Sequence, residues 1–211
     1  MPSLYVSVSL DGSRRDHDAI RGIDSAFDHA FDTYSSLKKI TDRRFKVHIE
    51  YTISTFNEGR LERFMRETGI FAKDIIVTIA QRGPFYGNTM LEVEPRREWR
   101  SDVRYFLSRM KVRSIHDLGQ WAFLQYLLMG AKVPCFAGRR NFVMDPQGSL
   151  YPCILNDVKI GDIHDTLRPY CPPQDCSCYT PCESYFGLLS TLPGLLLTLI
   201  KSRKMPPLGI V

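Results

Sequence analysis

All six cysteines of this 211-residue chain lie between Cys135 and Cys182. Cys135 is followed by twelve residues, Gly148, four more residues and Cys153; Cys171, Cys176, Cys178 and Cys182 come later. Thiolates are soft ligands, and four of them together select Zn²⁺ or an iron–sulfur cluster. Such a site requires the chain between the first two cysteines to fold back on itself. The stretch Phe142-Val143-Met144-Asp145-Pro146-Gln147-Gly148-Ser149-Leu150-Tyr151-Pro152 predicts that fold-back. Two short apolar strands flank Asp-Pro-Gln-Gly, with Pro second and Gly fourth, as a type I turn prefers. The hairpin lets Cys135 and Cys153 approach, and the later cysteines complete a four-thiolate site.

Disulfide pairing is the less favoured reading. The opening Met1-Pro2-Ser3-Leu4-Tyr5-Val6 has neither a basic n-region nor a long apolar h-region. A cytoplasmic, reducing setting is therefore expected, where clustered cysteines bind metal more often than they pair.

The elements that must position these residues read as alternating strands and helices. Residues 4–10 alternate, with Val6, Val8 and Leu10 on one face and Tyr5, Ser7 and Ser9, then Asp11, on the other. From Asp18 to about Lys39, Ile20, Ile23, Phe27, Phe31, Tyr34 and Leu37 return at helical spacing and predict one long amphipathic helix. Residues 45–54 predict a second strand, with Val47, Ile49, Tyr51 and Ile53 opposed to His48, Glu50, Thr52 and Ser54. Asn57 is expected to cap a helix running to about Thr68. Asp74 to Ala80 reads as a third strand. After a Gly- and Pro-containing connection over 82–94, helices are expected over about 96–111 and 116–129.

Strand–helix alternation implies right-handed βαβ units and a parallel sheet. Parallel sheets seldom leave a face bare, so a barrel whose lumen is lined by the polar faces is preferred to an open sheet. The fold class expected is α/β: half of a (β/α) barrel over residues 1–112, with a small cysteine-rich domain over 113–211.

Composition narrows the function further. The chain carries 28 basic and 23 acidic residues for a net charge of +5, which makes no case for nucleic acid. The apolar run Phe186 to Ile200 falls short of the ~20 residues that span a bilayer, and Pro193 and Gly194 interrupt it. A helix packed on the cysteine domain is the preferred reading there. A membrane-surface helix aided by Lys201, Arg203 and Lys204 is the minor alternative.

Two separated stretches together resemble one family. Ser7-Val8-Ser9-Leu10-Asp11-Gly12, with His17-Asp18 and Arg21-Gly22, is similar to the fourth strand and following turn of radical SAM enzymes of the SPASM/Twitch group. Thr52-Ile53-Ser54 and Asn57 resemble that family's fifth strand and helix start. The Cys-x12-Gly-x4-Cys element at Cys135, Gly148 and Cys153 looks like the opening of the SPASM/Twitch cluster domain. Tyr151-Pro152-Cys153, Ile160-Gly161-Asp162-Ile163 and Cys178-Tyr179-Thr180-Pro181-Cys182-Glu183 fit the same pattern.

The resemblance implies a partial (β/α)6 barrel that binds S-adenosylmethionine on a 4Fe–4S cluster, whose electron cleaves the sulfonium to a 5′-deoxyadenosyl radical. It also implies an auxiliary 4Fe–4S cluster in the cysteine domain and a reductant such as ferredoxin or flavodoxin. The family's Cys-x3-Cys-x2-Cys motif is absent here, since the first cysteine is Cys135. The chain is thus expected to be the C-terminal part of a longer or split enzyme. An N-terminal half or partner chain would supply the SAM cluster, and this chain alone would not cleave SAM.

By the same resemblance, Cys135, Cys153, Cys178 and Cys182 are the preferred auxiliary-cluster ligands. Cys176 can replace Cys178, and Cys171 is either spare or part of a second site. Structural zinc is the alternative. Ser9 and Asp11 would touch the ribose and methionine parts of SAM, with Thr52 lining the same cavity; local turn chemistry explains Asp11-Gly12 equally well. His17 and His48 read as structural, and Gln81 and Arg82 lie where they could reach a substrate. The substrate itself is not specified. A second reading, from a different class, is a non-catalytic iron–sulfur or zinc protein that scaffolds or relays electrons.

Overall fold

Two alternating segments and one short apolar run build three strands that pair side by side and in parallel, in the order β1 (Leu4–Ser9), β2 (Phe45–Ile53), β3 (Ile75–Ile79). The computed structural model describes residues 4–130, 135, 137–139, 141–164 and 170. Helices α1 (Arg14–Arg21) and α2 (Ala26–Leu37) connect β1 to β2, and α3 (Leu61–Thr68) connects β2 to β3. Helices α4 (Trp99–Arg109) and α5 (Ile115–Leu128) follow. A second sheet is antiparallel, in the order β4 (Val143–Met144), β5 (Ser149–Tyr151), β6 (Gly161–Asp162). The chain divides into two compact units, one from residues up to 80 with 94–121, the other from 81–93 with residues from 122 onward.

In the first unit the register makes one face of the parallel sheet apolar. Ile49 lies beside Ile75, Tyr51 beside Val77 and Ile53 beside Ile79, and all six are buried. At ~25 cal/mol per Å² of apolar surface, this layer supplies the main driving force of the unit. The opposite face carries Ser7 beside His48, Ser9 beside Glu50, and Thr52 beside Thr78.

The single helix expected over 18–39 is two helices, and the reason is local. Gly22 adopts φ 65°, the left-handed conformation that ends α1. Asp18 then reaches forward, its carboxylate accepting from the amides of Ser25 at 3.2 Å and Phe27 at 2.7 Å, and so caps α2. Ile23 falls in the break and is 62% exposed rather than inward. Across the break, His17 of α1 meets Phe27 of α2, which continues into Phe31 and Tyr34 as one cluster of rings.

Asn57 does not cap α3. The helix begins at Leu61, and its first amides are satisfied by a carboxylate from another helix. Buried Asp102 of α4 accepts from the amides of Gly59 at 2.6 Å and Leu61 at 3.1 Å. In return Glu58 accepts from the consecutive amides of Arg96, Arg97 and Glu98 at the start of α4, at 2.9–3.0 Å. The start of α3 thus receives an acid from α4, and the start of α4 receives one from the turn that leads into α3, which complements both dipoles. Partial burial works against the Glu58 charge, but the backbone amides outweigh it and hold its carboxyl below the usual range.

Tyr51 is fully buried, with its ring 5.0 Å from that of Phe64. Among the described residues its hydroxyl has no hydrogen-bond partner. Tyr51→Phe therefore removes a desolvated, unsatisfied group and is expected to leave stability unchanged or raise it by about 1 kcal/mol, read from the denaturation midpoint. A loss of similar size would show that the hydroxyl is bonded after all.

In the second unit the expected hairpin forms. Gly148 donates its amide to the Asp145 carbonyl at 3.0 Å, closing the turn. The Asp145 carboxylate accepts from the amides of Gln147 and Ser149 and from the Tyr151 hydroxyl, at 3.0, 2.8 and 3.0 Å. The connection over 82–93 packs against this sheet. Phe85 meets Tyr151 edge-on at 4.8 Å between centroids, and a Cβ at Gly83 would lie 2.8 Å from Leu155. No described helix is long and apolar enough to cross a membrane. The apolar run 186–200 and Cys171, Cys176, Cys178 and Cys182 lie outside the described residues.

Candidate functional site

Two places could do chemistry: the carboxyl ends of the parallel strands, and the cysteine hairpin. At the first, Ser9 ends β1 exposed to solvent, while Asp11 is buried in the turn just beyond. The Asp11 carboxylate is engaged within the chain, by Arg21 at 2.5 Å and by the amide of Thr52 at 3.3 Å. Its own amide donates to Nδ1 of His17 at 3.1 Å, so this buried imidazole carries its proton on Nε2. Burial lowers the pKa of His17, in keeping with a neutral ring. Gly12 is required here, because a Cβ would lie 2.6 Å from Cβ of Asp16. Asp16, also buried, holds Arg60 at 2.6 Å and pairs with Arg63.

Asn57 ties the strand ends together. It is 0% exposed. Its Oδ1 accepts from the amide of Ser54 at 2.7 Å and from the Ser54 hydroxyl at 3.2 Å. Its Nδ2 donates to the carbonyls of Asp11 at 2.6 Å and Thr52 at 2.8 Å. The turn after β1 and the end of β2 are thereby one rigid piece, and the exposed Ser9 hydroxyl stands next to it. On the same face the Thr78 hydroxyl donates to Thr52 Oγ1 at 2.9 Å. Asp11 is engaged within the chain and fixes the position of the two strands.

Lower on that face, the His48 ring stacks on His116 at 5.8 Å and lies 6.0 Å from Tyr5. Burial, then the neighbouring His116 and Lys38, lowers the His48 pKa. Glu50 is half-buried between these rings and Thr52, and burial followed by the charge of Asp11 raises its pKa. Gln81 is buried; its carbonyl accepts from Asn88, whose Oδ1 in turn receives the amide of Gly83, at 3.0 and 2.9 Å.

At the second place, Cys153 is buried and Cys135 is partly exposed. Cys153 lies two residues past the end of β5 and forms a β-bridge with Asn156. Gly138, three residues after Cys135, has φ 71°, and a Cβ there would lie 2.8 Å from the Tyr170 ring and 3.1 Å from Pro152. Only glycine tolerates both that conformation and that approach. Asn156 donates to the Tyr170 hydroxyl at 2.8 Å, and Arg139 to the Tyr170 carbonyl at 3.4 Å. The segments beside Cys135 and Cys153 therefore meet around Tyr170. Among the described residues no group of three or more His, Cys, Asp or Glu is disposed to hold a metal. Two thiols of the expected donor set, Cys135 and Cys153, lie among the described residues.

Of the residues singled out in the sequence, Ser9, Asp11 and Thr52 share one edge of the parallel sheet, and Cys135 and Cys153 share the second unit. Sequence reasoning missed the Asn57 tether, the Asp16 clamp and the crossed acids Glu58 and Asp102. Apart from the local bonds of Asn57 to Ser54 and Thr52, their partners lie some forty residues away in sequence, which leaves no local signal.

The fold of the first unit defines a parallel α/β class of protein. No protein-family model matches the chain, and no curated protein matches it. Among solved structures it is similar to native anSMEcpe with bound AdoMet, at 16% identity and a TM-score of 0.48, over 77% of this chain and 48% of that one. It is similar also to native anSMEcpe with bound AdoMet and Kp18Cys peptide, at 14% identity and a TM-score of 0.47, over 77% and 49%. The chain spans about half the length of the solved chains it matches.

Proposed function

We propose that this chain is a portion of a radical SAM enzyme of the SPASM/Twitch type, combining part of a (β/α) barrel with a domain that holds an auxiliary 4Fe–4S cluster. The observation that carries this reading is the packing of Gly138 against Pro152 and Tyr170, which draws the flanks of Cys135 and Cys153 together. Tyr170 immediately precedes Cys171, so that cysteine joins Cys178, Cys182 and Cys176 as a source of the remaining thiolates. When bound, such a cluster supplies one-electron chemistry or an open iron for substrate. The chain's own part is to fix the first two thiols: the Asp145 carboxylate holds the turn, and burial of Cys153 keeps water from one side of the site.

At the sheet, Ser9 and Thr52 offer hydroxyls to the sugar and amino-acid parts of S-adenosylmethionine, and Asn57 with Asp11 holds them in place. The missing Cys-x3-Cys-x2-Cys segment would come from an N-terminal half or a partner chain, docked on the edge of β1 that pairs with no strand among the described residues, with a ferredoxin- or flavodoxin-like reductant. This chain by itself would not cleave S-adenosylmethionine. Cys135→Ser and Cys153→Ser test the reading. Each is expected to lose most of the iron that the wild-type chain takes up on anaerobic reconstitution. Uptake unchanged in both variants would remove these thiols from any metal site.

A further inference from the structure

Glu50 occupies the middle strand of the parallel sheet, on its polar face, opposite Ser9 on β1 and Ile76 on β3. It is half-buried, and among the described residues its carboxylate has no hydrogen bond and no ion pair. The charge it feels most is Asp11, of the same sign. His48, two residues back on the same face, is held toward the neutral form by burial and supplies no compensating charge. Arg21, which follows the same turn as Asp11, is committed to Asp11. A half-buried carboxylate with no partner in the protein gains most from a cation that displaces its remaining water.

We propose that Glu50 is the receptor for a cationic group, a primary ammonium or a guanidinium, on the ligand that lies against this face. The Ser9 hydroxyl and the Thr52–Thr78 hydroxyl pair flank it and are suited to the neutral polar atoms beside that cation. This rests on the proposed reading of the chain as part of a (β/α) barrel whose polar face meets ligand, and it names a substrate class for that face. The ammonium of S-adenosylmethionine is a second source of the same chemistry, so the test separates the two.

Binding to the full chain is measured by calorimetry for agmatine, for lysine amide, for uncharged N-butylurea and for S-adenosylmethionine, in the wild type and in Glu50→Gln. The expected result is that agmatine and lysine amide bind the wild type, that Glu50→Gln weakens them about tenfold to a hundredfold, and that N-butylurea is indifferent to the change. In the wild type, agmatine is also expected to lower the titration midpoint of the Glu50 carboxyl carbon signal, a readout that needs no variant. If neither amine binds, or both bind the two proteins equally, the proposal is overturned. Loss confined to S-adenosylmethionine would assign the cation to the cofactor rather than to a substrate, and overturns the substrate claim. Iron uptake is read separately: a chain that binds agmatine through Glu50 but takes up no iron keeps this inference and loses the cluster reading.

Discussion

Asn57→Ala is expected to destabilise the first unit by roughly 3–4 kcal/mol, the largest effect of any single substitution at the sheet. The side chain is fully buried and serves four partners: the amide and hydroxyl of Ser54 and the carbonyls of Asp11 and Thr52. Alanine leaves those groups without their partner in a place water does not reach. Asn57→Asp fares no better, because a carboxylate would face two carbonyl oxygens in place of the donating amide. The check is a urea denaturation midpoint, with the slope compared to ensure that the same surface unfolds. A shift below about 1 kcal/mol would mean that water replaces the side chain and that the strand ends are not tied through it.

Asp102→Ala is the second large effect, expected at roughly 2–3 kcal/mol. It strips the amides of Gly59 and Leu61 of their acceptor at the start of α3. Asp102→Asn retains one acceptor and turns a donor toward the second amide, so it should lie between alanine and wild type. A pH signature distinguishes this site from an ordinary cap. Burial pushes the Asp102 carboxyl up to about 6, with Glu58 and Glu98 adding to the rise against the two amides. In the unfolded chain the group titrates near ~4, so the folded state holds the proton more tightly in between. Its contribution to stability is present below ~4 and declines as pH rises to about 6. The difference between wild type and Asp102→Asn should narrow across that window; a gap that widened instead would contradict the assignment.

The first two strands were legible because each alternates, so that Val47, Ile49, Tyr51 and Ile53 share one buried face; β3 does not alternate and was legible as a short apolar run. The hairpin was legible because Asp145-Pro146-Gln147-Gly148 states its own geometry, and Asp145 reinforces the turn through its side chain. The break between α1 and α2 was less so. Apolar spacing runs on through it, while the deciding residues, Gly22 and the capping Asp18, weigh little in a hydrophobic pattern. The tethers were not legible at all. Asn57 looked like a helix cap because its residue type favours one, yet its partners are Asp11, Thr52 and Ser54. Glu50 carried no sign in the sequence beyond its place in an alternating strand. Only the register, which sets it beside Ser9 and Ile76, shows that no cation faces it among the described residues.

The central claim is that thiols of the second unit grip one iron–sulfur centre. Its most direct test is anaerobic reconstitution of the full chain with iron and sulfide, followed by metal and sulfide analysis of the desalted protein. The account predicts about four iron and four sulfide per chain with broad visible charge-transfer absorbance. A colourless chain holding one zinc, or no metal at all, would contradict it.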